Sequence, residues 1–294
     1  VVSDPFTHKA MGSRIFNNLK TKMNTEEYIW EQPSSSIEGV QFLRTKLKDY
    51  DGMIAVGSGT VSDSIKYATF LEDTFDTICE HFPDYEYSPF MNEKFYKDWS
   101  HDLKWGIHQA RCVVGHNLKV AWNLTRMHSL KPKESYKVFA HQIADAIPGS
   151  GCDNQRGGWY DMMERTLKDG EENHRLVWHD RKAWWQQEQG ILAYYIMAGV
   201  YDDKPEYLNF AREGTAFYNG WFLDYEEGGI YFNVLANGQP YALGTERGKG
   251  SHSMAGYHSF ELCYLAAIYT NLLINKQSMD FFFCPEPNAW ENNI

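Results

Sequence analysis

The stretches "GYHSFELCYLAAI" at residues 256–268 and "GHNLKVAWNLTRM" at residues 115–127 decide how this chain is read. Each opens with glycine, reaches a histidine within two positions, and continues with apolar residues at helical spacing. The pattern predicts a helix starting at each histidine, His116 and His258. A third run, "WWQQEQGILAYYIMAG" at residues 184–199, predicts another helix. Its apolar residues fall on more than one face, as in a helix packed on both sides.

Between these helices the sequence repeats. "CDNQRGGWYDMM" at residues 152–163 and "LDYEEGGIYFNV" at residues 223–234 share Asp, a polar run, Gly-Gly, one hydrophobic residue and Tyr. Gly-Gly supplies positive-φ positions for a tight turn, and the residues after it read as a short strand. An amphipathic run precedes each copy, "SYKVFAHQIADAI" and "EYLNFAREGTAFYNGWF". The cadence of helix, helix and short hairpin gives three helix-pair units over residues 115–275. Stacked in this way, helix pairs close into a toroid or extend as a solenoid.

Upstream, residues 64–82 predict an amphipathic helix with Ser64 near its N-cap, and residues 33–50 a second one. Residues 83–114 read as a long ordered connection, and "GSGT" at residues 57–60 as a turn, since it lacks the lysine and spacing of a phosphate loop. The first sixty residues carry little pattern. The expectation is one helical domain over residues 1–294.

Composition narrows the partners. The formal net charge of −11 disfavours a nucleic-acid backbone, and no apolar run approaches the length of a membrane span. The five cysteines are scattered without metal-ligand spacing, which fits buried thiols in a reducing, cytoplasmic setting and no bound metal. Aromatic residues make up 16% of the chain, which fits either large helical cores or rings stacked on sugars.

The motifs "GHNLKVAW", "HDRKAWWQQEQ", the two "GGxY" turns and "YHSFELCYLA" resemble, in order and spacing, the N-acylglucosamine 2-epimerase superfamily, over about residues 115–267. That group includes cellobiose 2-epimerases and aldose–ketose isomerases. The resemblance implies an all-α fold, an (α/α)6 barrel with short β-hairpins in the inter-helix loops, whose N-terminal part is incomplete or diverged here. It implies an isomerase in which His116 and His258 form an acid–base pair, with Trp184, Trp185 and Asp180 at motif positions of the sugar pocket. Two departures stand out: Lys119 and Gln189 occupy places where sugar-epimerising relatives usually carry glutamate.

The chemistry suits those residues. Epimerising or isomerising a sugar beside its carbonyl requires a proton to leave carbon and return, and imidazole reaches both protonation states near neutral pH. A helix N-terminus favours the neutral, basic form. Such a reaction needs no cofactor. Trp122 offers a further stacking surface, Glu188 and Glu261 could hold hydroxyls, and His252 sits in a Gly-rich loop beside His258. Lys119 would suit an anionic or modified sugar. The reading includes a homodimer as the assembly. Two alternatives remain: a glycoside hydrolase or polysaccharide lyase on the same toroid, drawing on Asp153, Glu188, Asp224 and Glu261, or a non-catalytic carbohydrate-binding domain of a longer protein.

Overall fold

The computed structural model describes residues 1–281 except 35, 58, 105, 107–109, 251–253 and 255. The described chain forms two compact units, Val1–Glu80 and His81–Ile294.

The first unit is built on strands of two residues each, β1 (Val2–Ser3), β2 (Tyr28–Ile29) and β3 (Ala55–Val56), all parallel, with β1 in the centre. Helices α1 (Pro5–Thr7), α2 (Ser13–Leu19), α3 (Ile37–Leu47), α4 (Gly59–Lys66) and α5 (Glu72–His81) follow in chain order. Val2, Trp30, Val40, Leu43, Leu47, Val61 and Ile65 form its core. Two residues are too few to show a period of two, so this sheet leaves no alternation in the sequence. Ser64 lies inside α4 rather than at a helix start, and its hydroxyl donates to the Ser34 carbonyl at 3.3 Å.

The second unit is helical. Strand β4 (Arg111–Val113) leads into α6 (Val114–Leu130), which turns back as α7 (Glu134–Gly151) and ends at β5 (Met162–Glu164). Strand β6 (Arg181–Ala183) leads likewise into α8 (Trp184–Val200), α9 (Pro205–Trp221) and β7 (Asn233–Leu235), and α10 (Tyr257–Tyr269) follows. β4 pairs antiparallel with β5, and β6 with β7, so each helix pair is closed at its base by a short ladder. Helix α8 packs against α6 on one side and α10 on the other, while α7 and α9 back α6 and α8. This is the α/α-toroid arrangement, with α6, α8 and α10 as inner helices. Both-sided packing explains the apolar residues around α8, where even Gln186, Gln187, Glu188 and Gln189 are fully buried.

The Gly-Gly repeat has a common physical cause. Gly157, Gly158, Gly228 and Gly229 all have φ between 73° and 89°. In each copy an aspartate caps the turn: Asp153 accepts from the backbone of Gln155 and Arg156, and Asp224 from Glu226 and Glu227. A lysine then locks it. Lys182 donates to Asp153 at 2.9 Å and to the Gly157 carbonyl at 2.7 Å, and Lys249 donates to Asp224 at 2.7 Å and to the Gly228 carbonyl at 2.9 Å. Small bridges, Cys152 with Trp159 and Leu223 with Ile230, complete the two expected hairpins.

Candidate active site

The N-terminal ends of the three inner helices meet at one cavity of about 480 Å³. His116, on the first turn of α6, and His258, on the first turn of α10, both line it, as do Lys119, Trp184 and Trp185. Trp185 packs near both imidazoles, its ring centroid 5.1 Å from His116 and 5.9 Å from His258. The edge of Trp184 meets His258 at 6.2 Å.

Close helix approach makes this convergence feasible. A Cβ on Gly115 would lie 2.7 Å from the Trp185 ring and 2.8 Å from Gln186 Cγ, so only glycine lets α6 come this near to α8. Neither α6 nor α8 has a side-chain cap of its own. Instead Gln186 of α8 accepts from the Gly115 amide at 2.6 Å and donates to Asp161, and the Trp184 amide donates to the Phe232 carbonyl at 2.9 Å.

Each histidine has a polar partner at Nδ1. Glu93, from the long connection before β4, accepts from His116 Nδ1 at 2.7 Å. His258 Nδ1 lies 3.2 Å from Gln189 Nε2. Burial, and then the charges of Lys119 and His116, push the His258 pKa down to about 4 against the opposing pull of Glu261. His258 is therefore neutral at physiological pH.

The charged groups of the cavity are matched. Lys119 donates to Glu261 at 3.4 Å and lies over the Tyr257 ring at 5.3 Å. Arg181 makes two hydrogen bonds to Asp161, approaches Glu246 at 3.9 Å, and stacks on Trp178 at 4.2 Å. Burial raises the Asp161 pKa against the pull of Arg181.

Other expected site residues fall elsewhere. Trp122 is buried and donates to Gln189 at 2.9 Å, so it is no stacking surface. Glu188 is buried beneath the cavity, accepting from Tyr218 at 2.7 Å and Ser259 at 2.6 Å. Asp180 accepts from the Ala236 amide at 3.3 Å, and Glu261 stands behind the lining, between Lys119 and Gln189. His252 lies outside the described residues. Sequence reading missed Arg181, Asp161, Trp178, Glu246, Asn233 and Glu93. Arg181 sits inside the quoted "HDRK", but nothing local distinguishes it from Lys182, which the fold consumes under a turn. Among the described residues, no group of three or more His, Cys, Asp or Glu could hold a metal ion, and no helix is long and apolar enough to cross a membrane.

Comparisons with known proteins give two likenesses. Residues 1–75 match the family model described as iron-containing alcohol dehydrogenase, about a quarter of the chain. The described residues do not fit an iron site. No curated protein matches the sequence. Among solved structures, cellobiose 2-epimerase from Bacillus thermoamylovorans B4167 is 17% identical, with a TM-score of 0.53 over 78% of this chain and 51% of that one. A D-mannose isomerase is 16% identical, with a TM-score of 0.54 over 79% and 54%. Cellobiose 2-epimerase from Spirochaeta thermophila DSM 6192 is 14% identical, with a TM-score of 0.56 over 80% and 50%. The chain spans about half the length of the structures it matches. In fold, it is similar to these sugar epimerases and isomerases, and its architecture is the α/α toroid.

Proposed function

We propose that the second unit moves a proton at the carbon next to the carbonyl of a reducing sugar, as a cofactor-independent epimerase or aldose–ketose isomerase, with His116 and His258 as the acid–base groups. The observation that carries this reading is the pair of imidazoles on one Trp-lined cavity, both close to the Trp185 ring. Indole faces suit the apolar face of a pyranose, and carboxylates such as Asp161 and Glu246 suit its hydroxyls. Lys119 and Arg181 each face a carboxylate, which supports a neutral sugar over an anionic one.

The hydrolase alternative loses its acids. Asp153 and Asp224 anchor turns, Glu188 is buried in a hydrogen-bonded pocket, and Glu261 is held by Lys119 and Gln189, which speaks against this pool as a carboxylate pair across a cleft.

The test is solvent-deuterium incorporation over a panel of neutral aldoses. Exchange at the carbon beside the carbonyl is expected, falling at least a hundredfold in His116→Ala and in His258→Ala. Absence of exchange with every aldose would overturn the reading.

A further inference from the structure

The two histidines are not equivalent, and the groups behind them set the difference. An indole N–H only donates, so Trp122 Nε1, at 2.9 Å, fixes which end of the Gln189 amide faces it: the oxygen. The amide nitrogen is therefore turned to α10, where its two hydrogens meet His258 Nδ1 at 3.2 Å and Glu261 Oε2 at 3.1 Å. Gln189 itself is fully buried. An amide N–H can only meet Nδ1 as an acceptor. The proton of neutral His258 is therefore on Nε2.

His116 has the opposite arrangement. A carboxylate only accepts, so Glu93 Oε2 at 2.7 Å places a proton on His116 Nδ1. When this ring is neutral its lone pair is on Nε2. One cavity thus holds an imidazole set to take a proton and an imidazole set to give a hydrogen bond. Lys119 and Glu261 also face His258, and their mutual ion pair at 3.4 Å leaves the amide contact in place.

We infer that Gln189 holds His258 as its Nε2–H tautomer, and that this makes the site a one-base aldose–ketose isomerase rather than a two-base 2-epimerase. The inference deepens the proton-transfer reading above and rests on it. His116 Nε2 removes the proton from C2. The C–H electron pair forms the C1=C2 bond, and the carbonyl pair moves to O1, which takes the Nε2 proton of His258. The O2 hydroxyl then returns a proton to His258 as C2=O forms, and the double-bond pair takes the proton from His116 at C1. Every atom and electron pair is accounted for without a co-reactant. A neutral imidazole serves such oxygen-to-oxygen transfer, but it is a far weaker acid than imidazolium toward carbon on the opposite face. Gln189 is here a positioning residue.

Three measurements on the full chain test this. In 15N-histidine NMR, His258 is expected to carry its proton on Nε2, and a proton on Nδ1 would overturn the assignment. With aldoses that show exchange, ketose is expected to form at least tenfold faster than the C2 epimer, with part of a C2 deuterium label carried to C1. Epimer formed at an equal or greater rate would overturn the inference while leaving the proton-transfer reading intact; absence of exchange with every aldose would overturn both. Gln189→Glu replaces the amide donor with a carboxylate that accepts from Nδ1–H, so the epimer-to-ketose ratio should rise at least tenfold. An unchanged ratio in a folded variant would also overturn the inference.

Discussion

Lys119 on α6 and Glu261 on α10 meet at 3.4 Å, each three residues after a cavity histidine and so one helical turn below it. The ion pair ties the two outer members of the inner-helix trio across the floor of the site. It also sets the electrostatics of His258, which feels the ammonium and the carboxylate with opposite signs.

Lys119→Gln removes the cation that helps hold the His258 pKa near 4. Positive charge disfavours imidazolium, so its removal raises that pKa toward the ordinary value of 6.5. An NMR titration of His258 should show its midpoint move to higher pH. The same shift has a stability consequence. The folded pKa lies below the unfolded one, so the His258 contribution is full above about 6.5 and is lost as pH falls toward about 4. Thermal melts across that window should show a shallower loss in the variant.

Glu188 tests the support beneath His258. Its Oε1 accepts from both Tyr218 and Ser259, while burial raises its pKa. Glu188→Gln keeps an acceptor oxygen and should cost about 1 kcal/mol or less. Glu188→Ala leaves two hydroxyls without that acceptor and opens a cavity, for a loss of about 2–4 kcal/mol in urea unfolding. Equal costs would show that the hydroxyl contacts are unimportant.

The two turn-locking lysines allow a controlled comparison. Lys182 is fully buried against Asp153, whereas the Lys249 side chain keeps 28% of its exposure. Lys182→Met leaves a buried carboxylate without its ion-pair partner and should destabilise by about 3–5 kcal/mol. Lys249→Met should leave the urea midpoint close to that of the parent, because solvent compensates Asp224.

Gly115→Ala probes the close approach of α6 and α8. The added methyl would sit 2.7 Å from the Trp185 ring, so the indole or the helix must move. A loss of about 1–3 kcal/mol is expected. Because Trp185 lines the cavity close to both imidazoles, sugar affinity should fall as well, read by intrinsic tryptophan fluorescence during titration.

The inner helices, the Gly-Gly turns and both cavity histidines were legible because each has a local cause. Helical spacing marks α6, α8 and α10, positive φ demands Gly157 and Gly228, and the histidines open helices at matching places. The first unit was not legible. Its strands pair residues from three separate segments, and two residues per strand leave no alternation to detect.

Side-chain duty was the other hidden quantity. Lys182 and Arg181 are adjacent cations in one motif, yet one is buried under a turn and the other lines the cavity, because neighbouring strand residues face opposite ways. Trp122 read as a sugar platform and instead orients Gln189. The sequence by itself determined that helix pairs would repeat and that two histidines would stand at helix starts, since periodicity and turn chemistry act over a few residues. Only the tertiary structure decided which polar groups back each imidazole, since Glu93, Gln189 and Glu261 reach the site from distant segments through packing that no local pattern encodes.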